Sequence, residues 1–468
     1  MLTASKKDPV EHIEFINLLC RLGVSYHFDK EIENNLKEIF DDLPNLLEKH
    51  DFDLYTLSLL FRVLRQHGFK MPCVVFDKFK TPKETLVFTK ANLESSAMQS
   101  SPRLADHIRN ALIRPFHKGV PRIEARKYIS FYEEDESRND TLLKFAKIDF
   151  NRVQLLHRQE LSNLSRWWND FKLSVEFPYA KDGIVEVYFR ANGVHFEPQY
   201  AFSRMVVTKY TKIVSLLDDT CDAHASFEEI QLFTNAIERC CMDAINQLPA
   251  EYLKVLYSAL LDLFSEIESD MGKQGLSYAL YYVKEAFKEL TRGYQAEAQW
   301  APVGHDQPFG VYVPNGLEET RYGVIMAASN VVKDEVAGEE EYEWLKSNPK
   351  IMKAGKMICR LVKDIVGHEV EQKRGDSASG VERFMKQYDV SEKKAIEEIQ
   401  KMVANGWKDI NEDCMRPTNA PMRLLQQIVN LVRVTEVTYG HNDDAYTIPQ
   451  SLKDYVTLLY VEKVPMCE

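Results

Sequence analysis

The chain has 468 residues, 45% of them hydrophobic and 11% aromatic, enough for two domains and a large core. Its formal net charge of −12 excludes a general nucleic-acid binder, which needs a basic face toward phosphates. No apolar run approaches the roughly 20 residues of a membrane helix, and the eight cysteines include no CxxC pair and no zinc spacing, so they read as reduced, mostly buried thiols.

The opening stretch MLTASKKDPV carries neither an apolar signal core nor an Arg/Ser-rich transit composition, which points to a cytoplasmic protein. Apolar residues then recur with helical period. Ile13, Ile16, Leu19 and Leu22 share one face and Gly23 closes that helix; Leu57, Leu60, Leu64 and His67 repeat the pattern before Gly68. The segment from Phe76 to Thr89 is Lys-rich, with two threonines and a proline, and reads as a surface link. From Tyr132 to Asp140 the sequence YEEDESRND places five acids in nine residues, dividing an amino-terminal domain, 1–136, from a carboxy-terminal one, 137–468. Val206, Tyr210, Ile213, Val214 and Leu217 form a longer apolar stripe, and Glu228 and Glu229 suit the first turn of the next helix. The Gly- and Pro-containing stretch from Val303 to Pro314 reads as a loop. Alternating β-branched runs are absent, and so is any repeat of solenoid length. The fold class is therefore all-α, in two helical domains.

The strongest chemical signal is Leu216-Leu217-Asp218-Asp219-Thr220-Cys221-Asp222, at the end of the apolar stripe. Asp218 and Asp222 lie four apart, so their carboxylates leave one helical face. Two like charges there repel, and a hard divalent cation with oxygen ligands relieves that cost. A solvated acidic helix end is the competing reading, although a helix carboxyl terminus favours cations over acids. About 150 residues later, Arg360, Lys363, Asp364, Gly367, His368 and Glu371 place carboxylates and cations on one face, with Lys373 and Arg374 a turn beyond. Such a face suits a magnesium-bound diphosphate, or equally an exposed helix laced with i,i+4 ion pairs. Several other features have plainer readings: His224 and His441 as hydrogen-bonded or surface histidines, Trp167 and Trp168 as packing residues, and Cys240 and Cys241 as core thiols.

Ten collinear stretches resemble the plant class I terpene synthases, of the sesquiterpene type that includes germacrene and cadinene synthases. They are RLGVSYHFDKEI (21–32), FRVLRQHGF (61–69), HKGVPRIEARKYIS (117–130), LLKFAKIDFNRVQLLH (142–157), LSRWWND (164–170), FEPQY (196–200), LLDDTCDA (216–223), EWLKSNPKI (343–351), HEVEQKRG (368–375) and GWKDIN (406–411). The resemblance implies an amino-terminal relic domain and a carboxy-terminal catalytic helical barrel. It also implies magnesium (or manganese) ions that bind the diphosphate of farnesyl diphosphate and help expel it, leaving an allylic cation that aromatic walls stabilise. Carried over by position, Asp218, Asp219, Asp222 and Glu371 would hold metal, and Arg360 would contact the diphosphate. Lys363, Lys373, Arg374, Lys181 and Arg190 would be further substrate contacts, while Tyr439, Asp444 and Tyr446 would line the pocket beside the catalytic aspartates. The implied partner is the small-molecule substrate alone, with no nucleic acid and no membrane, bound by a monomer.

The departures fall on the chemistry. In the second metal motif of the family, Lys363 stands where an acid or amide belongs and Gly367 where a hydroxyl belongs, so Glu371 alone remains. An Arg-x-Arg element becomes Lys181-Asp182-Gly183, which replaces a bidentate donor by a point charge. Arg190 takes the place of a wall tryptophan, Cys240 that of another, and Glu318, Glu319 and Arg321 follow VPNGL where small or hydroxyl residues are usual. The amino-terminal arginine-tryptophan segment is absent, and the stretch between Phe79 and Thr85 is short. Two functions stay open on the residues: a magnesium-dependent sesquiterpene synthase, with Lys363 as a tethered cation, or a degenerate or repurposed relative that takes a more polar small molecule.

Overall fold

The computed structural model describes residues 8–79, 82–170, 177–180, 182–272, 278–300, 307–331, 338–374, 378–440, 445 and 449–466, with the backbone alone at 82–88, 223, 270–272, 300, 371, 373 and 374. Among the described residues there are α-helices, short 3-10 turns and one π-turn, and no strand. No helix among them is long and apolar enough to cross a membrane. The chain divides into two compact units: residues 1–156 with 414–422 and 457–468, and residues 157–413 with 423–456.

The first unit contains α1 (Pro9–Arg21), α2 (Asp29–Asp41), α3 (Leu43–Lys49), α4 (Leu54–Gln66), α5 (Pro82–Gln99), α6 (Pro102–Ile113), α7 (Pro121–Tyr132) and the first half of α8 (Asp140–Asp170). Asp8 caps α1 by accepting from the Val10 amide at 3.0 Å, and Ile13, Ile16 and Leu19 are buried as their spacing requires. Asp53 caps α4 in the same way through Thr56. Gly23 and Gly68 end these helices at φ +73° and +84°, where a side chain would strain the backbone. Two later segments return to this unit. Arg416 pairs with Glu33 (Nη2 to Oε2, 2.8 Å), and Asn151 exchanges hydrogen bonds of 2.9 Å with the backbone of Val464. The link expected from Phe76 to Thr89 is helical from Pro82 onward. Pro82 suits a first helical position, and the run that follows, through Gln99, is made largely of good helix formers.

The second unit holds the rest of α8, then α9 (Ile184–Val194), α10 (Ala201–Ala223), α11 (Phe227–Arg239), α12 (Glu251–Gly272), α13 (Tyr278–Trp300), α14 (Phe309–Glu318), α15 (Tyr322–Ser329), α16 (Glu339–Lys346), α17 (Lys350–Arg374), α18 (Gly380–Tyr388), α19 (Glu392–Asp413), α20 (Met422–Thr438, from Arg423 onward) and α21 (Lys453–Val456). Glu228 and Glu229 do open α11, where Ser226 and Glu229 form a reciprocal capping box. Residues 309–314, expected in a loop, form most of α14. Phe309, Tyr312 and Val313 are buried against Leu361, Val381, Phe384 and Ile399, and that burial overrides the helix-breaking cost of Pro314. Cys240 is half-buried and Cys241 exposed; they end a helix and begin a 3-10 turn, so they are not core thiols.

One buried polar knot sets the register of α10. Arg204 grips Glu160 bidentately at 2.9 and 2.7 Å, and the Tyr188 hydroxyl donates to the same carboxylate at 2.8 Å. A fully paired buried charge tolerates little displacement. From that anchor the stripe Val206, Val207, Tyr210, Ile213, Val214, Leu216 and Leu217 is buried as its spacing predicts, and the helix delivers its aspartates at the far end.

Candidate active site

Asp218 and Asp219 are half-buried and Asp222 is open on one side, all within the last turns of α10. Thr220, fully buried between them, donates to the Leu216 carbonyl at 2.7 Å and meets the Tyr179 hydroxyl at 3.0 Å, which directs the acids away from the core. Each carboxylate oxygen of Asp218 is engaged. Tyr294 on α13 donates to Oδ1 at 2.9 Å, and the Arg321 guanidinium donates to Oδ2.

Asp222 keeps one side open to water, yet its pKa is pushed up to about 7. Desolvation by the surrounding protein is the largest cause, and the like charges of Asp218 and of Glu297 on α13 add to the effect, while Lys363 and Arg321 oppose it. Lys363 on α17 therefore faces the acid cluster.

The break between α14 and α15 brings further charges. Pro314 lies inside α14, which ends at Glu318, and Arg321 adopts the left-handed conformation at φ +66° before α15 begins. Glu319 is buried. Its Oε2 accepts from Arg360 Nη1 at 2.9 Å and its Oε1 from the Asn315 amide, while burial and the neighbouring Glu297 push its pKa well up. Arg360 is buried too, donating to the Tyr312 hydroxyl, stacked 4.5 Å from that ring and 3.4 Å from Asp364. Asp364 accepts from Tyr312 at 3.0 Å, and burial raises its pKa.

On the other flank, the Trp168 indole donates to Asp182 Oδ1 at 3.0 Å, as a packing residue does, and the Lys212 ammonium lies 4.2 Å from the Trp168 ring. Burial lowers the Lys212 pKa to about 8, against the pull of Asp182, Asp219 and Glu186, and the like charge of Arg190 lowers it further. Arg190 is half-buried and also acts electrostatically on Cys359 of α17, so it too points inward. Tyr439 is half-buried beside Tyr322, whose hydroxyl meets Thr435 at 3.0 Å.

The site thus brings together Asp218, Asp219, Asp222, Lys363, Arg360 and Arg190, while Tyr439 is placed only by its neighbour Tyr322. Lys181, Asp444, Tyr446 and His441 lie outside the described residues, and Glu371, Lys373 and Arg374 are described in backbone only, on the last turns of α17. His224 is exposed and stacked on Tyr179 at 4.6 Å. Tyr294, Glu297, Lys212 and Tyr312 escaped the sequence reading; a three-residue Tyr-Glu spacing on an ordinary amphipathic helix carries no signal by itself. A separate cleft of about 360 Å³, lined by Tyr282, Glu289, Asn315, Glu318, Met326 and Lys356, uses a different face of α13 and includes none of these aspartates.

The donors on the α10 side fit a hard divalent cation. They are oxygens, and Asp218 and Glu297 add like-charge repulsion to the desolvation that raises the Asp222 pKa. Among the described residues no three acid, histidine or cysteine side chains already converge as a metal cage.

Two family models match the chain: the terpene synthase N-terminal domain over residues 1–86, and the terpene synthase family metal binding domain over 169–409. "Probable terpene synthase 6" of Ricinus communis is 51% identical, covering 100% of this chain and 91% of its own length. Chloroplastic casbene synthase of Ricinus communis is 43% identical (99% and 82% covered), and a valerianol synthase of Camellia hiemalis 40% identical (100% and 90%). Isoprene synthase from grey poplar leaves, solved in complex with three Mg2+ ions and dimethylallyl-S-thiolodiphosphate, superposes with a TM-score of 0.89 at 27% identity, covering 100% of this chain and 95% of that one. A helical unit whose helix α10 ends in three aspartates, and relatives that match it from end to end, lead to one conclusion: this chain belongs to the plant terpene synthase family, and is a lyase of that kind.

Proposed function

We infer that the protein is a magnesium-dependent sesquiterpene synthase that ionises and cyclises farnesyl diphosphate with release of diphosphate. The observation that carries this reading is the end of α10, where Asp218 and Asp222 lie four apart and the Asp222 pKa is raised to about 7 by desolvation first and then by the like charges of Asp218 and Glu297, with Lys363 opposing. The valerianol synthase among its relatives supports a sesquiterpene product, whereas the casbene synthase leaves the chain length to experiment.

In this mechanism Asp218, Asp222 and Glu371 would hold magnesium, with Asp219 supporting them, and the metal supplies Lewis-acid assistance to the departing diphosphate. Tyr294 orients Asp218 through its 2.9 Å hydrogen bond. Lys363 offers a single tethered charge in place of a ligand, worth far less than a divalent ion at the same distance, so turnover is slow. Lys181, Arg190, Lys373 and Arg374 would add positive charge toward the diphosphate, and Lys212, buried near Asp219, would join them. Arg360, held by Glu319, acts through that acid rather than as an unclaimed phosphate ligand. By the family resemblance, Tyr439 and Tyr446 would supply aromatic faces for the cation and Asp444 a polar group beside them. Residues 137–468 carry the chemistry, and the protein works as a cytosolic monomer.

The test is direct. Purified protein receives farnesyl diphosphate and magnesium, with geranyl and geranylgeranyl diphosphates as competitors, and hydrocarbon products and free pyrophosphate are measured. Product and pyrophosphate no higher than with boiled protein would end this reading.

A further inference from the structure

Arg321 stands at a joint. It is the single left-handed residue between α14 and α15, and it has a side chain where glycine is the easier occupant. Its guanidinium donates to Asp218 Oδ2 while Tyr294 holds Oδ1, so both oxygens of the first aspartate have protein partners. The two side chains are only 16% and 18% exposed, and a pair so shielded holds better than one on the surface.

A divalent cation on Asp218 repels the guanidinium that already occupies Oδ2, so the two cations compete for the carboxylate. Once displaced, Arg321 has five N–H donors to satisfy. Nearby Glu319 is already committed to Arg360 and Asn315. A diphosphate offers what is missing, several anionic oxygens in the geometry that a guanidinium fork binds best.

We propose that Arg321 is a resident counter-ion of Asp218 that must leave before a divalent cation can bind there, so that metal uptake depends on a diphosphate able to receive the released guanidinium. This rests on the metal-dependent reading of the site and adds to it a residue that orders the two binding events. Magnesium alone competes with Arg321 and binds weakly. Magnesium with pyrophosphate binds tightly, because the guanidinium changes partner instead of losing one.

The experiment is isothermal titration of the full chain with magnesium chloride, with and without saturating inorganic pyrophosphate, for wild type, Arg321→Gln and Arg321→Lys. Circular dichroism and melting temperature check the fold of each. In Arg321→Gln, magnesium alone should bind about tenfold tighter than in wild type, and the enhancement by pyrophosphate should shrink by a similar factor, within the usual range of coupling between sites. Arg321→Lys keeps a charge on a shorter arm that lacks the planar fork, so it should lie between the two. If Arg321→Gln binds magnesium alone no tighter than wild type, the proposal is overturned; should that variant misfold, an Arg321→Lys protein with wild-type affinity and coupling overturns it equally. The two readings fail separately. Product from farnesyl diphosphate with unchanged magnesium binding in the variants removes only the counter-ion, whereas tightened binding without product from wild type removes only the synthase.

Discussion

Arg360 and Glu319 form a buried ion pair, Nη1 to Oε2 at 2.9 Å, between α17 and the end of α14. The arginine that the family resemblance assigns to the diphosphate is thus already claimed by an acid. Tyr312 and Asp364 adjoin it, so Arg360 sits in a buried polar network.

Removing the acid should cost stability first. Glu319→Ala leaves the Arg360 guanidinium buried without its counter-charge, and we expect a loss of about 3 kcal/mol, typical of a broken buried pair. Glu319→Gln retains an acceptor and should cost roughly half as much. Urea melts of the full chain check both values. Equal stability of all three proteins would mean that the pair contributes nothing.

Asp218→Ala and Asp222→Ala should each reduce pyrophosphate release from farnesyl diphosphate by about 100-fold or more, the scale of losing a preorganised electrostatic contact. Magnesium should also lose its stabilising effect on melting temperature in the presence of pyrophosphate. Wild-type rates in either variant would place the metal chemistry elsewhere.

Lys363→Asp adds an acid to a cluster in which Asp218 and Glu297 already push Asp222 up. Without metal the variant should be less stable by about 1–3 kcal/mol, a common size for a charge placed against like charges. With magnesium that loss should reverse, because the new carboxylate restores a hard oxygen donor, and turnover should rise several-fold. A fall in turnover despite tighter magnesium binding would instead assign Lys363 a direct contact with diphosphate.

The first unit carries its own response to acid. Burial lowers the pKa of His67 to about 4, helped by Arg416 and opposed by Glu33. The folded state therefore binds fewer protons than the unfolded chain between pH of about 6.5 and 4. The stability that neutral His67 contributes is complete above the unfolded value and is lost as pH falls through that window, by at most about 3 kcal/mol. His67→Gln should flatten the dependence of urea midpoints between pH 7 and 4.5. An unchanged slope would show that His67 titrates normally in the folded protein.

Much of this was legible in the sequence. The periods of Ile13 to Leu22, Leu57 to Leu64 and Val206 to Leu217 define their helices because amphipathic burial is a local, repeating demand. The capping acids after Ser226 and the i,i+4 pair Asp218 and Asp222 are local as well. Where tertiary burial competes with local preference, the same reasoning failed. Pro314 and its neighbours read as a loop, yet Phe309, Tyr312 and Val313 find a core 50 to 90 residues away and fold as a helix on it.

The amino acids by themselves determined an all-helical chain and the family it belongs to. Only the tertiary structure decided how the charges of the site pair: Glu319 neutralises Arg360, Arg321 covers Asp218, and Lys363 faces Asp222. The physical reason is that electrostatic energy depends on distance and burial in three dimensions. Charges that look like separate losses along the chain come from different helices, and folding pairs them.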